Sequence, residues 1–162
     1  WAGIVPDVMP MAKGLGSGVP VGAIVVGPRA QDVLGPGNHG STFGGNPLAM
    51  RAGIETLRIM VEDRLVDNAA AMGERIRVGL QRELAGNPGV VEIRGQGLML
   101  GIELARPCAE LVGLAAKSGL LISVTADNVV RLLPPLIINA AEIDEVVRIL
   151  APLIRDFLAK GA

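Results

Sequence analysis

Aromatic side chains are nearly missing from this sequence. Tyrosine is absent, and Trp1, Phe43 and Phe157 are the only aromatic residues among 162. A ring that stacks on a flat ligand is therefore expected to come from other sequence. Cys108 is the single cysteine, which excludes an intrachain disulfide and a cysteine metal cluster. It reads as a small core or surface residue. His39 is also alone, and a metal site needs several converging ligands, so no metal is expected. An excess of one charge is lacking as well: 15 basic and 16 acidic residues give a net charge of −1. That balance leaves no basic stripe for nucleic acid and no polybasic membrane anchor. No apolar run reaches bilayer length, and the N-terminus lacks the regions of a signal peptide. The expected setting is cytoplasmic, with small molecules rather than nucleic acid or membrane as partners.

An initiator methionine is missing too. Half of the residues are hydrophobic, and the mean hydropathy of +0.47 is high for a soluble domain. Two readings follow. The chain is a core-rich α/β domain, of a size that buries roughly two thirds of its unfolded surface, or it is part of a longer protein that covers some of its apolar faces.

Lys13 stands out in what is present. Met9, Pro10, Met11 and Ala12 precede it, glycines follow at 14, 16, 18 and 22, and the closest acid is Asp7. Desolvation among such neighbours favours the neutral amine, the nucleophile that forms Schiff bases with carbonyls. The glycines permit close approach of a flat ligand to the backbone. The plainer reading is a Gly/Pro-rich loop whose lysine reaches to water. A phosphate-cradling P-loop is disfavoured, because there the lysine follows the glycines and precedes Ser or Thr.

A second stretch runs from Asn38 to Pro47 and places Ser41 and Thr42 beside Gly44 and Gly45, just before a helix. Hydroxyls and free backbone N–H groups at a helix start form a phosphate site. Capping accounts for Asn46 and for Pro47 at the first helical position. It leaves the hydroxyl pair unexplained.

The rest of the chain alternates helix and strand. Val21–Val26 reads as a buried strand, and residues 28–34 as one or two helical turns ended by Gly35-Pro36-Gly37. From Pro47 to about Leu84 the apolar spacing predicts two helices meeting near Asp63, or one long bent helix. Leu48, Ala52, Leu57 and Met60 share one face, and Leu65, Ala69, Met72, Ile76 and Leu80 share another. Composition then shifts to short strands, which places a domain boundary near residue 86. Residues 90–94 and 98–104 form an expected hairpin, 109–118 a helix, and 120–125 and 129–133 two strands joined by Ala126-Asp127-Asn128. Asn139 and Glu142 form a capping box for a final amphipathic helix, which Pro152 is expected to kink.

Arg131 lies in the apolar run Val129-Val130-Arg131-Leu132-Leu133-Pro134-Pro135-Leu136. A buried guanidinium is costly without an anionic or carbonyl partner. That partner is an acid of the chain, such as Glu103 or Asp127, or it is the carboxylate of a substrate held by charge-assisted hydrogen bonds worth about 1.5–3 kcal/mol each.

Three strings together resemble the class III, ornithine-type aminotransferases: the lysine segment Pro6–Ala23, the loop His39–Ala49, and the Arg-Leu-x-Pro-Pro-Leu run from Arg131. The likeness covers the whole chain and is greatest to the acetylornithine branch. It implies an α/β chain that is the C-terminal portion of a fold type I pyridoxal 5'-phosphate (PLP) transferase. Residues 1–86 would be the end of the large domain and 87–162 the small domain. It also implies that Lys13 carries PLP and shuttles a proton, that Thr42, with Ser41 second, binds the cofactor phosphate of the other subunit of a homodimer, and that Arg131 holds the substrate α-carboxylate. The implied reaction is transamination between N-acetylornithine, or a related omega-amino acid, and 2-oxoglutarate in arginine biosynthesis. Succinylornithine, ornithine and 4-aminobutyrate enzymes share the three strings. A fragment that binds a phosphorylated ligand without catalysis is the alternative of a different class. The family's acid on the pyridine nitrogen, its stacking ring and its phosphate turn lie upstream of the lysine, so the isolated chain is expected to be inactive.

Overall fold

The computed structural model describes residues 3–160. It separates into two compact units, one ending at Asp63 and one starting at Arg64. This division falls before the expected boundary at 86, because the second long helix shares its core with the later strands.

In the first unit, strand β1 (Val8–Met11) runs antiparallel to β2 (Ala23–Val26), with Val8 opposite Val26 and Met11 opposite Ala23. The run expected to be a buried strand is instead exposed, Ile24 at 61%. A two-stranded ribbon offers only one neighbour to each strand, and no second layer covers it among the described residues of this unit. Residues 28–34 form hydrogen-bonded turns rather than helix, with the Ala30 N–H on the Gly27 carbonyl and the Val33 N–H on that of Ala30. Gly35-Pro36-Gly37 cuts the segment too short to offset the cost of helix nucleation. Helix α1 spans Pro47–Glu62 and is capped as expected, the Asn46 side chain accepting the Ala49 N–H at 3.0 Å. Its buried residue is Ala49, whereas Leu48 and Leu57 of its apolar stripe are exposed.

Arg64, in the left-handed region at φ 51°, sets α2 (Leu65–Glu83) apart from α1. In the second unit β3 (Val90–Gln96), β4 (Met99–Leu104), β5 (Ser123–Thr125) and β6 (Val129–Leu132) form one antiparallel sheet in the order β3-β4-β6-β5. Helices α2, α3 (Glu110–Lys117) and α4 (Ala140–Ala159) cover one face. Strand alternation then decides burial. Leu100, Ile102, Leu104, Val130 and Leu132 point into the core against Ile76, Leu80, Leu111, Ile143, Leu150, Ile154 and Phe157. Full burial of each such side chain stabilises by about 1.5–3 kcal/mol. The opposite face carries Glu92, Arg94, Gly101, Glu103, Ser123 and Arg131. Gly73 of α2 lies so close to the hairpin turn that a Cβ there would sit 1.9 Å from the Gly97 carbonyl oxygen, so only glycine lets α2 dock.

The Asn139–Glu142 capping box is present, and α4 continues through Pro152 despite the donor lost there. Cys108 is a core residue; burial raises its thiol pKa, and the nearby Arg106 charge partly opposes that shift. No helix among the described residues is long and apolar enough to cross a membrane.

Candidate active site

Lys13 opens a 3-10 turn, Lys13–Gly16, two residues past the end of β1. Its backbone is left-handed, at φ 56°. For a residue with a side chain that conformation costs about 1–3 kcal/mol and persists only where the surroundings impose it. The imposing contacts are visible. The Leu15 N–H donates to the Ala12 carbonyl and the Ser17 N–H to that of Gly14. The Ser17 hydroxyl lies 2.9 Å from that of Thr56. Because the Thr56 proton is engaged with the Ala52 carbonyl, Ser17 is the donor, and the lysine turn is fastened to α1.

The side chain of Lys13 is exposed in this chain, contrary to the expected desolvation. The apolar neighbours lie along the strand and turn rather than over the amine. Asp7 does not approach it, because Asp7 pairs with Arg29 at 3.4 Å. Among the described residues, Lys13 has no hydrogen-bond or ion-pair partner for its side chain.

The Ser41–Thr42 pair lies in an exposed loop just before α1. The two hydroxyls differ. Ser41 Oγ accepts the Gly44 N–H at 3.0 Å, which closes the turn, while Thr42 has no side-chain partner among the described residues. Asn46 completes the loop by donating to the Phe43 carbonyl at 2.9 Å. Thr42 is thus the freer ligand for an anion.

Arg131 belongs to the second unit and is exposed, not buried, because its position alternates with the core residues Val130 and Leu132. Neither expected acid pairs with it. Its Nε donates to Ser123 Oγ at 3.1 Å, and Glu103 is held by Arg94. Both Nη groups are without partners among the described residues, so a bidentate face remains for a carboxylate. Reading the sequence overlooked Ser17, Thr56 and Ser123. Only Ser123 had a signal: residues equidistant from Asp127 face each other across the β5–β6 hairpin, and Ser123 faces Arg131.

A groove of about 600 Å³ between α2 and α4 is lined by Arg75, Arg82, Glu83, Asp144, Arg148 and Arg155. Its charges are engaged locally: Arg75 grips Asp144 through two hydrogen bonds of 2.8 and 2.6 Å. This pairing lowers the Asp144 pKa. The groove contains none of the residues singled out above.

Within the first unit the residue types suit PLP: an amine without an acid partner among the described residues and an uncommitted hydroxyl at a helix start. The family model of the class-III aminotransferases matches residues 1–154. Acetylornithine aminotransferase 1 of Bordetella pertussis is 54% identical over 160 residues, 99% of this chain and 41% of its own length. Acetylornithine aminotransferase of Methanothermobacter thermautotrophicus is 42% identical over 95% of this chain and 40% of its own length. The chain therefore spans about two fifths of the curated relatives it matches. Among solved structures, ornithine aminotransferase from Toxoplasma gondii superposes with a TM-score of 0.88 at 35% identity, over 96% of this chain and 38% of that one. Acetylornithine aminotransferase from Elizabethkingia anophelis gives 0.84 at 30% identity, over 94% and 42%. The chain belongs to the class-III aminotransferases, a PLP-dependent family, and is a C-terminal portion of their fold.

Proposed function

We propose that this chain is the C-terminal part of a PLP-dependent aminotransferase that exchanges amino groups between N-acetylornithine, or a closely related omega-amino acid, and 2-oxoglutarate in arginine biosynthesis. In that protein residues 1–86 close the large domain and 87–162 form the small one. The observation that carries the reading is the imposed left-handed turn at Lys13, which presents an amine with no acid partner among the described residues.

PLP, when bound, supplies the electron sink. Lys13 Nζ would hold the cofactor and, as a free amine, would be the base that takes the proton from the amine-bearing carbon of the substrate and returns it. The Nη donors of Arg131 hold the substrate carboxylate, which aims that C–H bond toward the base. Thr42 binds the cofactor phosphate of the partner subunit, assisted by the partial positive charge at the start of α1, so the active unit is a homodimer. The isolated chain has little or no turnover, because the upstream half supplies the rest of the site.

The test is borohydride reduction of the PLP-loaded full-length protein, followed by peptide mapping. The pyridoxyl label falls on Lys13, and Lys13→Arg lowers turnover by at least about a thousandfold, since arginine forms no Schiff base. Label elsewhere, or an active Lys13→Arg protein, overturns the reading. PLP binding that survives Lys13→Arg without any covalent label in the parent protein supports the simple phosphate-binding alternative, which the Ser41–Thr42 loop favours.

A further inference from the structure

Four strands place Arg94, Gly101, Arg131 and Ser123 in one cross-strand row on the open face of the second unit's sheet. Arg94 faces Gly101, Gly101 faces Arg131, and Arg131 faces Ser123. In the next row Glu92 faces Glu103. Glu103 therefore stands diagonal to two arginines, a spacing that long side chains bridge. Gly101 puts no side chain between them. Glu103 is nonetheless committed to one side: Nη1 of Arg94 donates to it and also to Glu92, the latter at 2.8 Å. Arg131 turns its Nε the other way, to Ser123.

We infer that Arg94 is a positioning residue for substrate binding, which holds Glu103 and Glu92 and so keeps the Arg131 guanidinium open to a substrate carboxylate. This rests on the proposed role of Arg131. The physical reason is a competition. Without Arg94, two carboxylates face each other directly, an unfavourable pair, and the remaining diagonal cation for Glu103 is Arg131. A carboxylate tethered in the same sheet then competes with the substrate for the same donors.

The experiment uses the full-length PLP-loaded enzyme, with N-acetylornithine and 2-oxoglutarate as probes. Arg94→Met raises KM for both by about 2- to 5-fold, the strength of an exposed ion pair, with kcat retained. Arg94→Met/Glu103→Gln returns KM to the parent value, a rescue that general damage to the sheet would not give. Should Arg94→Met prove insoluble, Arg94→Gln gives the same pattern. An unchanged KM in the Arg94 variants, or a raised KM that persists in the double variant, overturns the inference. Arg131→Met separates the two levels. If it leaves KM unchanged, the role of Arg131 itself fails; if it raises KM while Arg94→Met does not, only the role of Arg94 fails.

Discussion

The two units differ in how they treat apolar residues. Before Asp63 the buried apolar residue among those described is Ala49, while Val8, Met9, Ile24, Val25 and Val26 lie open on the ribbon. After Arg64 the sheet and three helices enclose a continuous core in which Ile76, Ile102, Leu111, Ile143 and Ile154 have no exposure. The difference teaches that stability and chemistry are unevenly distributed. The second unit has its own two layers and encloses its own core. The first carries Lys13, the proposed attachment point of the cofactor, in the turn after a strand of the ribbon, whose apolar faces suit a larger sheet, consistent with relatives more than twice as long.

The largest test of that contrast is separation. Residues 64–162 expressed alone will unfold cooperatively with heat and show dispersed amide resonances, whereas residues 1–63 alone will not; a cooperative transition in the shorter piece breaks the comparison. Next in size, Ile102→Ala in this chain will lower unfolding free energy by about 2–5 kcal/mol, read from the denaturant midpoint. Val25→Ala will change it by no more than about 0.5 kcal/mol. Equal effects would mean that the ribbon is buried after all.

A smaller effect sharpens the picture of the second unit. Asn139→Ala removes the acceptor for the Ala141 and Glu142 N–H groups and will cost about 1 kcal/mol. The smallest concerns acid. The Arg75 guanidinium holds Asp144 below its ordinary value of 3.8, so its contribution is present above that value and is lost as pH falls through the depressed one. Below about pH 4 the denaturant midpoint will therefore fall more steeply in the parent chain than in Asp144→Asn. High salt will narrow the gap, because both groups are exposed.

Helix existence was legible because periodicity and caps are local. The α4 stripe from Ile143 to Phe157, its capping box and the break near Asp63 all follow from residues within a few positions of one another. Which face of α1 is buried is not legible from spacing: Leu48 and Leu57 share an apolar stripe, but nothing within their unit covers them. Turn formation at 28–34 was a near balance that two glycines and a proline tipped. At the site, residue types at Lys13, Thr42 and Arg131 could be read, and their surroundings could not. The lysine turn is fastened to a hydroxyl of α1, and the partner of Arg131 depends on strand register.

The sequence by itself determined the long helices, the strands of the second unit and the family strings, since these rest on short-range patterning and on side-chain type. Tertiary structure decided that α2 joins the later strands, that Lys13 and Arg131 are exposed, and that Glu103 pairs with Arg94 instead of Arg131. These are choices between long-range partners of nearly equal chemistry. Only the placement of one strand beside another selects between them.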